Sequence, residues 1–174
     1  RWNEQLVGSI GDTAAFSTMY RKSLAAGATG GIVFTNDKDL YHQSLGHADR
    51  GKQVWRDDIN LNDPSQALFP ALNMNTDELS CAIGLASLGR LEKAISGRVD
   101  FITRFIELLN AESRACRPYA FHQGFSPFFF PIFVDTNVLS CSKIEFAEAL
   151  VAEGVPLNVH YGCVISAWDF AKPY

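Results

Sequence analysis

Apolar residues recur at Leu79, Ile83, Ala86, Leu88, Leu91, Ile95, Val99, Ile102, Ile106 and Leu109, in steps of three or four almost throughout. That period predicts a long amphipathic helix, or two in line. Asn75 followed by Glu78 resembles a capping box and sets the predicted start near Asn75 or Thr76. Gly84, Gly89 and Gly97 each weaken the helix, and Gly97 is the favoured bend. A helix of that length exceeds the usual range and is expected to link two packed regions.

The first third reads as mixed α/β. Residues 13–17 form a short apolar strand, and a glycine-rich turn at 27–31 precedes Ile32-Val33-Phe34-Thr35, a β-branched, apolar run that reads as a buried strand. Asn36-Asp37 supplies a turn or cap, with a helix over residues 37–44. Residues 47–67 are polar and without apolar period, which predicts a long loop, functional or mobile. The last third reads as a small α/β unit. Residues 128–134 look like a strand, with Pro131 placing it at an edge or bulge. Ser142-Lys143-Ile144-Glu145 is a capping box that opens a helix, and Gly154 ends it. Residues 155–160 read as a returning strand. No internal repeat is visible.

Composition changes this picture little. The chain has 174 residues, 47% hydrophobic and 20% charged, with a formal net charge of −4. Those values exclude a disordered or low-complexity protein. The length suggests one domain or a little more, enough to bury a core without disulfides. The acidic balance argues against a nucleic-acid or anionic-membrane binder, and no apolar run reaches the roughly 18 residues of a spanning helix. The chain opens at Arg1-Trp2 without initiator Met or apolar signal segment, and it is expected to be an internal fragment, cut at both ends. Cys81, Cys116, Cys141 and Cys163 contain no Cys-x-x-Cys pair, so reduced thiols in a cytoplasmic protein are expected. His42, His47, His122 and His160 form no ligand pair, and no metal site is expected.

The candidate chemistry lies at residues 17–31. A lysine such as Lys22 can form a Schiff base with an aldehyde when held against it and readily deprotonated. A hydroxyl at a strand end, here Ser17, can bond a phosphate, and glycines let the backbone approach. Taken alone, these residues describe a solvated lysine and a plain turn before they describe a site. Neither the P-loop nor the dinucleotide fingerprint is present. His47, Asp49 and Arg50 read as contacts to an anionic substrate or as a solvated loop. Arg21 either pairs with phosphate or faces solvent. His160 and Tyr161 read as strand-end packing, and residues 125–133 as a core strand rather than a base-stacking platform.

Order and spacing carry more. Gly11-Asp12, Ser17, Lys22 five residues on, Gly30-Gly31 and Thr35-Asn36-Asp37 together resemble the Schiff-base region of the DegT/StrS-type aminotransferases. These are pyridoxal-phosphate (PLP) enzymes that aminate nucleotide-linked keto-sugars. Residues 47–52, His-Ala-Asp-Arg-Gly-Lys, look like one branch of that family. Leu72-Asn73-Met74-Asn75-Thr76-Asp77-Glu78-Leu79 resembles its Asn-x-Arg-x-x-Glu-Leu segment, with Asn75 at the customary arginine. Ala152-Glu153-Gly154-Val155-Pro156, running into His160-Tyr161, resembles its small-domain turn. The histidine that often follows falls near Ser166 and is absent.

The resemblance implies a fold-type I PLP transferase: an α/β large domain with a mixed, mostly parallel sheet, joined by a long helix to a small α/β C-terminal domain. Residues 1–95 would end the large domain, and residues 96–174 would hold the linking helix and an incomplete small domain. It implies Lys22 as the Schiff-base lysine and proton shuttle. Ser17 would bind the PLP phosphate, as would Asn73, reaching across a homodimer with shared active sites. The implied reaction moves an amino group from glutamate to a keto-sugar, in polysaccharide or antibiotic sugar biosynthesis. The alternatives are a PLP-dependent dehydratase or amino-shikimate-type synthase of the same fold, against which Lys22 weighs for the dehydratases that carry His, or a catalytically silent regulatory relative. The 174-residue stretch alone is expected to be inactive. The pyridine-nitrogen and ring-stacking partners are expected upstream of Arg1.

Overall fold

Strand β1 (Thr13–Ser17) and strand β2 (Gly31–Thr35) form an antiparallel pair, registered from Thr13 opposite Thr35 to Ser17 opposite Gly31. The computed structural model of the chain describes residues 1–122, 124–162 and 165–173; Cys163 lies outside them. The chain divides into two units, one of Arg1–Phe101 with His122–Phe129, the other of Ile102–Phe121 with the described residues from Phe130 onward.

In the first unit both strands match their predicted positions. Their burial does not. Phe16, Ile32, Val33 and Phe34 are between 40% and 58% exposed, because β1 and β2 pair only with each other among the described residues. The pair is antiparallel, which the expected mixed, mostly parallel sheet allows, and no parallel pair occurs among the described residues. The connection at residues 18–30 holds no helix. It is closed on itself by bonds from Thr18 N–H to Gly30 O and from Tyr20 N–H to Ala28 O, so the chain returns beside the strand it left and runs antiparallel to it. Among the described residues of the whole chain, the buried apolar core amounts to Ala67 and Ile102, far less than the expected core.

Helix α1 (Lys38–Ala48) starts at Asp37, whose carboxylate accepts from the backbone N–H of Asp39 and Leu40 at 2.8 and 2.9 Å. It runs four residues past the predicted end. Gly46 permits this: a Cβ there would lie 2.8 Å from Trp55 and 2.9 Å from Phe69. The predicted loop at 47–67 has its own ties. Arg56 donates to Asp58, and Asp63 caps a one-turn helix, α2 (Pro64–Ala67), by accepting from Ser65 N–H at 3.0 Å.

Of the two forms predicted for residues 79–109, one long helix or two, the chain takes two. Helix α3 (Glu78–Leu88) ends at Gly89, and helix α4 (Leu91–Glu112) follows after Arg90. The break falls at Gly89 rather than Gly97, which sits inside α4 with nothing within 4 Å of its Cβ position. The cap is Asp77, which accepts from Ser80 N–H at 2.8 Å, and not Asn75. The side chain of Asn75 is already bonded to Asp49 at 2.9 Å.

In the second unit, β3 (Cys116–Pro118) pairs antiparallel with β4 (Ile132–Val134). The predicted strand at 128–134 is thus confined to its last three residues, since Pro118 and Pro131 supply no N–H to extend the ladder. Helix α5 (Lys143–Ala152) has the predicted capping box: Glu145 N–H donates to Ser142 Oγ at 3.2 Å, and Ser142 N–H to Glu145 Oε2 at 2.8 Å. Gly154, at φ +91°, follows it. Residues 155–160 form no strand. Pro156 lacks a donor, and Leu157 N–H turns back to Val155 O at 2.9 Å. Replacing Ser142 by Ala removes one reciprocal bond and is expected to lower stability by about 1 kcal/mol. Urea unfolding of the intact natural protein measures it, and an unchanged midpoint would show the cap to be idle.

Among the described residues, no helix is long and apolar enough to cross a membrane, and Cys81, Cys116 and Cys141 are unbridged.

Candidate functional site

Beyond Ser17 the chain leaves the hairpin in a closed turn. Thr18 N–H donates to Gly30 O at 2.9 Å, Tyr20 N–H to Ala28 O at 3.3 Å, and Ala26 N–H to Thr18 O at 2.8 Å. Thr18 is the buried post of this turn, 4% exposed. A Cβ at Gly30 would come within 2.7 Å of its hydroxyl, so residue 30 must lack one. The turn is seated on α3. Ala25 N–H donates to Ser87 Oγ at 3.1 Å. Gly27 and Gly84 allow this approach, with Cβ positions 3.2 Å from Ser80 Oγ and from Ala26 Cβ. Arg98 on α4 donates to Ser23.

Lys22 sits in this turn, its N–H bonded to Met19 O at 2.8 Å. Its Nζ lies 4.0 Å from the ring centroid of Phe128. Among the described residues no carboxylate pairs with it. An aromatic ring face attracts a cation held over it. Ser17, at the end of β1, is exposed and accepts a long bond from Met19 N–H at 3.4 Å. The hydroxyl thus stands at the end of β1, where the turn that carries Lys22 begins. The Arg21 guanidinium lies over Tyr20, 5.2 Å from its centroid.

Asn73 belongs to a second constellation, and no contact joins it to Ser17 or Lys22 in this chain among the described residues. Arg50 N–H donates to Leu72 O at 2.8 Å and Met74 N–H to Ala48 O at 2.7 Å. These two bonds bracket an antiparallel bridge between Asp49 and Asn73. Asp49 Oδ1 accepts from Arg50 Nε and from Asn75 Nδ2, both at 2.9 Å, and Lys52 Nζ lies 3.1 Å from Oδ2. The hydrogen bond from Lys52, followed by that from Arg50, holds the Asp49 carboxyl below its ordinary range against the opposing effect of burial. His47 is exposed and edges against Phe69 at 5.0 Å. His160 and Tyr161 lie in irregular chain after α5. A hollow of about 250 Å³ between Lys52, Val54, Leu61 and Leu68 contains none of Ser17, Lys22 or Asn73.

Two partners were not legible beforehand. Phe128 was read as part of a core strand; it is instead 49% exposed beneath the Lys22 amine. Nothing in the local pattern signals a contact between positions so far apart. The Asp49–Asn75 bond had one trace, the asparagine standing where the resembling motif carries arginine.

The sequence model of the DegT/DnrJ/EryC1/StrS aminotransferase family matches residues 1–171. The spore coat polysaccharide biosynthesis protein SpsC of Bacillus subtilis (strain 168) is 27% identical over 165 residues, covering 92% of this chain and 42% of that protein. The GDP-perosamine synthase of Escherichia coli O157:H7 is 29% identical over 115 residues, covering 64% of this chain and 28% of the enzyme. The solved E. coli GDP-4-keto-6-deoxy-D-mannose-3-dehydratase with bound hydrated PLP superposes with a TM-score of 0.76 at 21% identity. That likeness covers 88% of this chain and 41% of that one, and it is a likeness of fold. The chain thus spans less than half the length of these relatives.

Proposed function

Because the chain belongs to the DegT/DnrJ/EryC1/StrS aminotransferase family, we propose that its protein is a PLP-dependent aminotransferase. It moves an amino group from a donor, glutamate, to a nucleotide-linked keto-sugar, in the cytoplasm, as a homodimer with shared active sites. On this reading residues 1–95 end the large PLP-binding domain, and residues 96–174 carry the linking helix and part of the small domain. The observation that carries it is the Lys22 amine, half-buried, unpaired by any carboxylate among the described residues, in the turn that follows the strand-end Ser17 hydroxyl.

That donor set suits the cofactor. A primary amine matches an aldehyde, and an exposed hydroxyl at a strand end matches a phosphate. Lys22 Nζ would hold the cofactor's aldehyde carbon. Ser17 Oγ and Asn73 of the partner subunit would hold the phosphate and so fix the ring. Pyridoxal 5'-phosphate, when bound, supplies the electron sink and carries the amino group between donor and acceptor. The Lys22 amine, freed when the donor binds, would serve first as the base that accepts the donor's α-proton and then as the acid that gives it back. The same amine favours transamination over the dehydratases that carry His at this position.

Borohydride reduction of the intact natural protein loaded with PLP is expected to leave a pyridoxyl mass on the peptide containing Lys22. Glutamate alone should convert the visible absorption to the pyridoxamine form, and a GDP- or UDP-linked keto-sugar should restore it with an aminated product. Restoration with water loss and no amination would move the protein to the dehydratases. No adduct at all would leave the silent relative.

A further inference from the structure

The segment holding Asn73 is tied to the end of α1 by a single carboxylate. Asp49 accepts from Asn75 Nδ2 at 2.9 Å. Asn75 in turn donates its backbone N–H to Asn73 Oδ1, at 3.4 Å. The bonds from Arg50 N–H to Leu72 O and from Met74 N–H to Ala48 O clamp the backbone on either side of Asn73. A chain of two bonds thus runs from Asp49 through Asn75 to the Asn73 amide. It engages the amide oxygen. The amide Nδ2, which meets no acceptor among the described residues, is left to donate, and a donating nitrogen is what a phosphate requires.

We propose that Asp49 is a positioning residue that orients, through Asn75, the Asn73 amide toward the phosphate of the cofactor. This rests on the reading that Asn73 meets that phosphate. It also gives the asparagine at position 75 a function of its own: its short amide ties the segment to Asp49 while its backbone N–H bonds Asn73. A merely structural role for Asp49, as partner of Arg50 and Lys52, would be worth little at a solvent-accessible site and would not discriminate between ligands with and without phosphate.

The test compares the affinities of PLP and of pyridoxal, which lacks the phosphate, by absorption titration of the intact natural protein. Asn73→Ala should weaken PLP about tenfold and leave pyridoxal unchanged, as expected for loss of a hydrogen bond to a charged group. Asp49→Ala and Asn75→Ala should each reproduce a selective loss of about fivefold, the scale of one misplaced bond. Asn75→Ala leaves the ion pairs of Asp49 intact and so covers the case in which Asp49→Ala folds poorly. Asp49→Asn keeps an acceptor for Asn75 and should retain most of the PLP preference, although its ion pairs are gone. Equal losses for both ligands, or no loss, in Asp49→Ala and Asn75→Ala overturn the proposal if Asn73→Ala is still selective. If Asn73→Ala is not selective, the phosphate role of Asn73 fails and the proposal falls with it.

Discussion

Replacing Lys22 by Ala is expected to lower the rate of amino transfer by about 10⁴-fold or more, equivalent to roughly 5.5 kcal/mol in the barrier. On the proposed reading two functions would be lost together: the covalent hold on the cofactor and the base that moves the α-proton. Cofactor binding should suffer less, because Ser17 and the partner's Asn73 would still hold the phosphate. Lys22→Arg should be as inactive as Lys22→Ala, since a guanidinium keeps the charge but does not give up its proton. Comparing the two separates a need for positive charge over Phe128 from a need for a deprotonatable amine. Steady-state rates, with borohydride trapping as the second readout, decide the matter. Residual transfer within tenfold of the natural protein in either variant would remove Lys22 from the chemistry.

Replacing Gly51 by Ala is expected to destabilise the protein by roughly 3 kcal/mol or more. Gly51 is buried and adopts φ +76°, directly after Arg50 at φ +58°. An added Cβ would stand 1.9 Å from Phe69 O and 2.6 Å from Phe69 N, which are backbone atoms with little room to yield. Neither side can simply move away. Gly51 N–H is bonded to Gly46 O at 2.8 Å, and Phe69 N–H to Gly51 O at 3.3 Å. Relief of the clash would pull on Asp49 and Arg50, and through them on the segment of Asn73. Gly97→Ala is the control. Its Cβ meets nothing within 4 Å inside α4, so it should stabilise by about 0.5–1 kcal/mol. Chemical denaturation should therefore give shifts of opposite sign. A Gly51→Ala protein within 0.5 kcal/mol of the natural one would falsify the steric account.

What was legible in the sequence followed from interactions within a few residues. β1 and β2 lie where their apolar runs placed them. The Ser142 capping box and the Gly154 stop lie where the helix signals placed them, because each cap joins groups three to five positions apart. The misreadings occur where a distant group takes over. Asn75 is a good N-cap by type, but Asp49, 26 residues away, holds its side chain, so the cap passes to Asp77. The apolar steps through residues 79–109 continue across Gly89 and Arg90, so periodicity left one helix or two open and did not mark Gly89, rather than Gly97, as the interruption. Residues 155–160 have strand composition, yet Pro156 cannot donate and the chain turns on itself. The apolar β2 run was read as buried, whereas burial depends on what packs over it, and in this chain β1 is its one strand neighbour among the described residues.

The sequence by itself determined the reagents and their spacing: an amine at Lys22 five residues after a strand-end hydroxyl at Ser17, an amide at Asn73, and a motif order shared with one aminotransferase family. These are properties of residue type and of short chain separation, which local geometry preserves. Only the tertiary structure decided what holds each reagent in place. Phe128 comes under the Lys22 amine, and Asp49 anchors the Asn73 segment, through contacts between residues far apart in the chain. Such contacts are selected by the packing of whole elements, α3 beneath the lysine turn and the end of α1 beside residues 72–74, and no pattern within either segment specifies its partner.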